Sequence, residues 1–432
     1  MKKEKEKREQ NLPAEKEKKN IGLTEKVKDI GRKINERDIE RSPVFSEPLT
    51  PKPKADERAP LRKGSVDMWF LLWSMILVCL GAVMSYSASA VYAQREYGNS
   101  AHFLWRYILF ALIASVVTAL FVIFARPWHW RIMGAGIYGV ALLLLVLVLV
   151  LGVAEGVAQR WLYLGPISIQ PSEIAKLGVV MMLALYMSKY EDQISRNGKF
   201  TGSFKHGFFM PMIIIGLVCG LIALERHISG LMIVGIIGLS VMFLGGTRIK
   251  YLAAFVGIIA FAGVALIAVS GYAQERVMSW INLESDPLGD GWQTLQGMYA
   301  IGSGGFFGLG LGLSRQKFGY VSQPQNDFIF TIICEELGFI GAFLVVLLFV
   351  MLIWRGIKIG QHAPDKFSAL VVWGLTFKIA LQVLMNIAVV TNMMPNTGIS
   401  LPFFSTGGSS LMIQIFEIGI ILSISRFSTQ KK

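Results

Sequence analysis

Beyond residue 66 the chain alternates between long apolar runs and short polar breaks. The runs fall at 67–91, 103–125, 132–154, 172–189, 207–224, 228–244, 251–270, 328–353, 368–391 and 409–425. Each comes close to the roughly 20 residues an α-helix needs to cross about 30 Å of hydrocarbon. This pattern predicts an all-α polytopic membrane protein of about ten transmembrane helices spanning residues 67–425. Residues 1–66 contain no such run. Their Lys/Glu-rich first part and the prolines at 43, 48, 51, 53 and 60 predict a basic, largely disordered tail followed by an extended linker. Val27, Ile30 and Ile34 recur at helical spacing among Lys26, Lys28, Arg32 and Lys33. They outline either a short amphipathic helix for an anionic leaflet or simply a solvated tail.

Charge then fixes the orientation. An even number of spans puts both ends on one side. The loops at 126–131, 189–206, 245–250 and 354–366, with the tail 426–432, carry fourteen Lys/Arg, against six in the longer set of opposite loops. The termini are therefore expected in the cytoplasm, and the long loop 271–327, between helices 7 and 8, outside. The composition agrees: 53% hydrophobic residues and a mean hydropathy of +0.52. The net charge of +13 is concentrated in the tail and short loops, which indicates topology rather than nucleic-acid binding. Cys79, Cys219 and Cys334 all lie inside apolar runs without paired spacing, so no disulfide framework is implied.

The chemistry concentrates in 289–341. Trp292, Met298, Tyr299, Phe306 and Phe307 can bury against the membrane domain as short interfacial or re-entrant helices, while glycines at 302, 304, 305, 308, 310 and 312 permit tight turns. No strand precedes these glycines and no Gly-Lys-Ser/Thr follows, which argues against a nucleotide loop. Asp327 stands where a membrane helix meets the loop, so it is either a helix N-cap or a reactive carboxylate. Glu335 and Glu336, about 12 Å further into that helix, either line a polar cavity or partner a buried cation. Glu225, Arg226 and His227 form an outer turn to which no role is assigned. The segment NTGISLPFFSTGGSS, broken by Pro395 and Pro402, predicts a re-entrant loop offering Ser405, Ser409 and Ser410.

IGSGGFFGLGLGLSRQKFGY followed by NDFIFTIICEELGFIG resembles the SEDS family, the FtsW, RodA and SpoVE group of cell-wall polymerases. RWLYLGPISIQPSEIAK at 160–176, AVMSYSASA at 82–90 and NTGISLPFFSTGGSSLM at 396–412 extend the resemblance over about residues 65–427. SRQKF and GLGLG favour the FtsW/SpoVE branch. The resemblance implies a peptidoglycan glycosyltransferase that polymerises lipid II on the outer face of the bacterial cytoplasmic membrane, inverting the sugar as undecaprenyl pyrophosphate leaves. It implies Asp327 as general base. It places Arg160, Glu173, Lys176, Gln296, Ser303, Arg315, Lys317, Glu335, Asn386, Ser405 and Ser409 in substrate binding. It also implies a class B penicillin-binding protein and other divisome membrane proteins as partners, and a divalent cation, Mg or Mn, as a possible cofactor whose ligands no cluster marks. The chain departs from the family pattern at Gln323, where glutamate is usual, at Thr406, and at Arg226–His227, where Pro-Asp is common.

Two other classes fit the architecture. A flippase for lipid-linked precursors would also use many spans with embedded charge and broken helices. It would show internal repeats, which the sequence lacks by inspection. A scaffold docking a division partner would tolerate Asp327→Asn.

Overall fold

The computed structural model describes residues 64–427 apart from 156–157, 166, 196–202, 322–323 and several positions between 270 and 290. The basic tail, its candidate amphipathic helix and Gln323 lie outside the described residues.

All ten apolar runs are helical: α1 (Met68–Tyr97), α2 (His102–Phe124), α3 (Pro127–Leu151), α4 (Pro171–Lys189), α5 (Met210–Leu224), α6 (Ile228–Gly245), α7 (Ile249–Val269), α9 (Ile329–Gln361), α10 (Lys366–Val390) and α11 (Gly408–Ser425). A further helix, α8 (Trp292–Ser303), lies in the long loop, as its aromatic residues suggested. Among the described residues eight helices are long and apolar enough to cross a membrane, α5 being counted together with the π-helical turn Lys205–Phe209 that precedes it. The exceptions are informative. The apolar sequence of α7 continues to Val269, and Ile249–Phe261 is the part of it whose side chains are all described. In α4 the run is diluted by Glu173, Lys176 and Lys189, yet the helix packs against α3, α5, α6, α10 and α11. Glu173 and Lys176 therefore face protein rather than lipid, the arrangement that makes intramembrane charge tolerable, while Lys189 is exposed at the helix end.

Two boundaries differ from the hydropathy reading. Helix α9 continues eight residues past 353, because the end of a membrane helix can carry Arg355 and Lys358 beyond the hydrocarbon without ending. The segment 153–169 is not loop but a small antiparallel sheet of order β1–β2–β3, comprising Val153–Glu155, Ala158–Leu164 and Ile167–Ile169. Pairing of Leu164 with Ile167 leaves a two-residue turn. Gly165, at φ 64°, takes its first position, where residues with a Cβ are disfavoured. The run Trp161–Leu164 is rich in strand-forming residues, which hydropathy alone reads as membrane-proximal loop.

The glycine-rich loop has a specific structural task. Helix α9 breaks at Gly338 (φ 68°, ψ −169°). Across the break the amides of Leu309 and Gly310 donate to the carbonyls of Glu335 and Glu336 (2.9 and 3.0 Å), and those of Phe339 and Ile340 donate to Gly305 and Phe306 (2.8 and 3.2 Å). The loop thus replaces two helical bonds by four crossed ones, so the break leaves no orphaned backbone at membrane depth. A Cβ on Gly308 would stand 2.2 Å from the Glu336 carbonyl, and one on Gly338 would stand 2.3 Å from the Gly308 nitrogen, which is why both are glycine.

Candidate active site

Side chains from distant parts of the sequence meet around a cavity of about 220 Å³. The β-hairpin supplies Arg160, Trp161 and Ser168; α4 supplies Glu173 and Lys176; the turn before α9 supplies Asn326 and Asp327; and the loop before α11 supplies Gly398 and Ser405. Five helices begin here: α2, α4, α6, α9 and α11. None has a side chain capping its first turn. By contrast, α1 and α10 begin with Asp67 and Asp365, whose carboxylates accept from Phe70 N and Ser368 N (3.0 and 2.8 Å). Uncapped N-termini carry free N–H groups and roughly half a positive charge each, so their convergence favours an anion in the cavity.

Asp327 is half-buried, in the turn that precedes α9. It is not the N-cap: Phe328 occupies that position, and no side chain caps the helix. Among the described residues no donor bonds its carboxylate, and Gly398 lies beside it, where a Cβ would stand 3.2 Å from Oδ2. Burial raises its pKa above the ordinary aspartate value, and the charge of Arg160 partly opposes this. Asn386 does not line the cavity. Its Nδ2 donates to the Asp327 carbonyl (2.7 Å) and to the Ile399 carbonyl (2.6 Å), tying the Asp327 turn to the loop opposite. Ser409 also acts from behind the wall, accepting from Gln170 N at 3.3 Å. Phe403 holds a left-handed φ of 67°. This conformation, costing about 1 kcal/mol or more in a non-glycine residue, is secured on both sides: Gln414 Oε1 accepts from its amide (2.7 Å) and Tyr107 donates to its carbonyl (2.6 Å).

Glu173 and Lys176 form a contact of 2.5 Å, and the chain of charge continues inward. Lys378 lies 3.8 Å from Glu173 Oε2 and 2.6 Å from Glu417 Oε1. All four side chains are buried. Part of the positive charge on Lys176 is thereby neutralised, which leaves Arg160 and Arg106 as the less encumbered cations of the cavity. Arg106, Gln382 and His227 line it without having been proposed from sequence, and Lys378 and Glu417 join it only through Glu173. A lysine and a glutamate inside apolar runs were themselves a readable signal, since charges in lipid-crossing helices need partners. Arg106 gave none, because an arginine near a helix end usually reads as interfacial.

The remaining candidates assemble elsewhere. Glu335 accepts from Ser314 Oγ (2.5 Å) and Arg315 N (2.9 Å). Glu336 accepts from Lys317 Nζ (3.0 Å), Ser87 Oγ (2.6 Å) and Ser314 N (3.3 Å). Lys317 Nζ also donates to the Gly312 carbonyl (2.6 Å). The two glutamates thus clamp the SRQK turn and are structural partners, not cavity walls. Arg315 is exposed and outside the cavity. Gln296 is buried in α8, and Ser303 bonds the Ala300 carbonyl one turn back (3.1 Å). Among the described residues no group of three or more His, Cys, Asp or Glu side chains could hold a metal.

Comparison with known proteins places this geometry. The FtsW/RodA/SpoVE family model, described as a cell cycle protein, matches residues 67–430. The chain belongs to this family. Stage V sporulation protein E of Bacillus subtilis is 40% identical over 85% of this chain and 99% of its own length. A probable peptidoglycan glycosyltransferase FtsW of Trichlorobacter lovleyi is 36% identical over 85% and 95%. Among solved structures, a chain of a peptidoglycan synthase complex aligns with a TM-score of 0.68 at 27% identity, covering 85% of this chain and 99% of that one. The Thermus thermophilus rod shape determining protein RodA aligns at 0.62 and 26% identity, covering 85% and 98%. This FtsW/RodA/SpoVE chain is accordingly a multi-pass protein of the cytoplasmic membrane.

Proposed function

We propose that the protein is a peptidoglycan glycosyltransferase of division or sporulation. It polymerises lipid II at the outer face of the membrane and works with a class B penicillin-binding protein that crosslinks the product. The observation that carries the reading is the carboxylate of Asp327, left without a donor in a cavity that is otherwise cationic and ringed by uncapped helix starts.

The chemistry follows from the residues. A sugar hydroxyl of the acceptor loses its proton to Asp327 as its oxygen attacks the anomeric carbon of the donor. The C–O bond to the diphosphate breaks on the opposite side, so the configuration inverts. The leaving diphosphate gathers negative charge, which Arg160, Arg106 and the N–H groups of the converging helices stabilise in place. The raised pKa of Asp327 makes it a stronger base than a solvated aspartate. Glu173, the other carboxylate among the described residues lining the cavity, is paired with Lys176. Mg or Mn would find its oxygen donors chiefly on the diphosphate, and no step is assigned to it. A flippase would need no such base.

The test is the full-length protein, purified with its partner and given labelled lipid II. Glycan ladders are expected from the wild type and not from Asp327→Asn. Equal ladders from both, or none from the wild type, would overturn the reading.

A further inference from the structure

The turn before α6 is the part of the cavity wall that the mechanism leaves unused. His227 lines the cavity, is 7% exposed, and its Nδ1 has no partner among the described residues. The ring cannot drift: it lies against Gly230, where a Cβ would stand 2.6 Å from Nδ1. The same helical turn is pinned by Ser229 Oγ, which donates to the Thr397 carbonyl. A buried polar nitrogen held in place with its bond unmade carries a penalty of about 1–3 kcal/mol. Nδ1 is closed in by Gly230, so the nitrogen left to meet a ligand is Nε2, which also forms no hydrogen bond with the described residues.

The surroundings say what kind of ligand. Arg160 of β2 and Lys176 of α4 repel a proton from the imidazole, and Glu173 of α4 attracts one. Asp327 and Arg106 share the same cavity. Burial and the two cations together push the imidazole down to about 4, so it is neutral at physiological pH, with one N–H to donate and one lone pair to accept. Phosphate oxygens only accept, and the arginines already serve them. A hydroxyl or an amide offers both a donor and an acceptor, which matches a neutral imidazole.

We propose that His227 is a specificity residue of this cavity, its imidazole hydrogen-bonding an uncharged sugar substituent, a hydroxyl or an amide, and so setting the sugar ring relative to Asp327. The inference rests on the glycosyltransferase reading. Its test is steady-state polymerisation by the full-length protein with its partner, with lipid II varied. His227→Ala should raise KM about tenfold, the worth of one hydrogen bond to a buried group, with kcat within about threefold. His227→Gln, neutral and able to donate and accept, should recover most of that loss. The kcat/KM pH profiles of the wild type and His227→Gln should superimpose between about pH 5.5 and 8.5, as expected for a group that stays neutral there.

An unchanged KM in His227→Ala, or equal damage in both variants, would overturn the assignment. So would a wild-type inflection in that pH range that disappears in His227→Gln, because it would make His227 a proton carrier. Should His227→Ala fail to fold, the glutamine variant and the paired profiles still decide. A wild type without glycan product defeats the parent reading, whereas an active wild type with an indifferent His227→Ala defeats this inference alone.

Discussion

Two regions of this protein bury charge, and they do so in opposite ways. At the clamp, Glu336 and Lys317 are satisfied together with Ser87, Ser314 and the Gly312 carbonyl, so that both charges are saturated. At the cavity, among the described residues, Asp327 has no donor, Arg160 Nε has no acceptor and five helix starts are uncapped. A saturated site stabilises the fold and has nothing left to offer a substrate. An unsaturated one costs stability and keeps its bonding capacity for a ligand, as expected of an active site. The difference teaches that burial of charge does not by itself mark function in a membrane protein; unfilled valence does.

The sharpest way to break the comparison is to remove one charge from each region. Asp327→Asn should lower polymerisation by about 10²–10⁴-fold, the usual range for a lost general base, without lowering the unfolding temperature in detergent. Glu336→Gln should do the reverse. It strands Lys317 beside a neutral partner at a site with no exposure, and a broken buried pair costs about 3–5 kcal/mol. Thermal unfolding should register that loss directly. Pairing it with Lys317→Met should restore part of the stability, because two apolar groups replace the stranded charge. An unstable Asp327→Asn or a stable Glu336→Gln would exchange the roles assigned to the two regions.

A smaller effect is expected behind the cavity wall. Asn386→Ala removes both bonds that tie the Asp327 carbonyl to Ile399, leaving the carboxylate in place but its turn loose. Polymerisation should fall about tenfold to a hundredfold, as misplacement of a catalytic group by a fraction of an ångström does. Lipid II titrations should put the loss in kcat rather than KM. A loss confined to KM would make Asn386 a substrate contact instead of a positioning residue.

The helices, the loop helix and the place of Asp327 at the start of α9 were legible in the sequence because hydropathy, aromatic content and motif order each act locally. The β-hairpin was not, since Arg160–Leu164 is too short and too apolar to be told from a membrane edge by periodicity. Nor was the division of labour among the charged residues. Lys176 has Glu173 one turn before it in sequence, whereas Lys317 has no glutamate nearby and finds Glu336, 19 residues on, together with Ser87, 230 residues away; the first faces the cavity and the second the clamp. Arg106, His227, Lys378 and Glu417 take their places only through contacts between helices far apart in the chain. The break at Gly338 and its repair by the 304–310 loop are likewise long-range, although the run of glycines announced that backbone would meet backbone.

The finest test of the contrast is the pH dependence of the cavity carboxylate. Burial raises the pKa of Asp327, and Arg160 holds it down against that rise. As a base it works ionised, so kcat/KM should fall as pH drops through the raised value, placing the acid limb above the ordinary aspartate range of about 3.9. Arg160→Gln removes the opposing charge and should move that limb to higher pH, whatever it also does to diphosphate binding. Glu335→Gln, in the clamp, should leave the limb where it is. The sign for stability runs the other way from activity. A carboxylate with a raised folded pKa contributes its stability below the unfolded value and loses it as pH rises through the folded one. At neutral pH, then, Asp327 costs the fold something, and Asp327→Asn should melt slightly higher than the wild type. The gap should close on acidification, and a gap that instead widens toward low pH would mean that the carboxylate is paired after all, like its counterparts in the clamp.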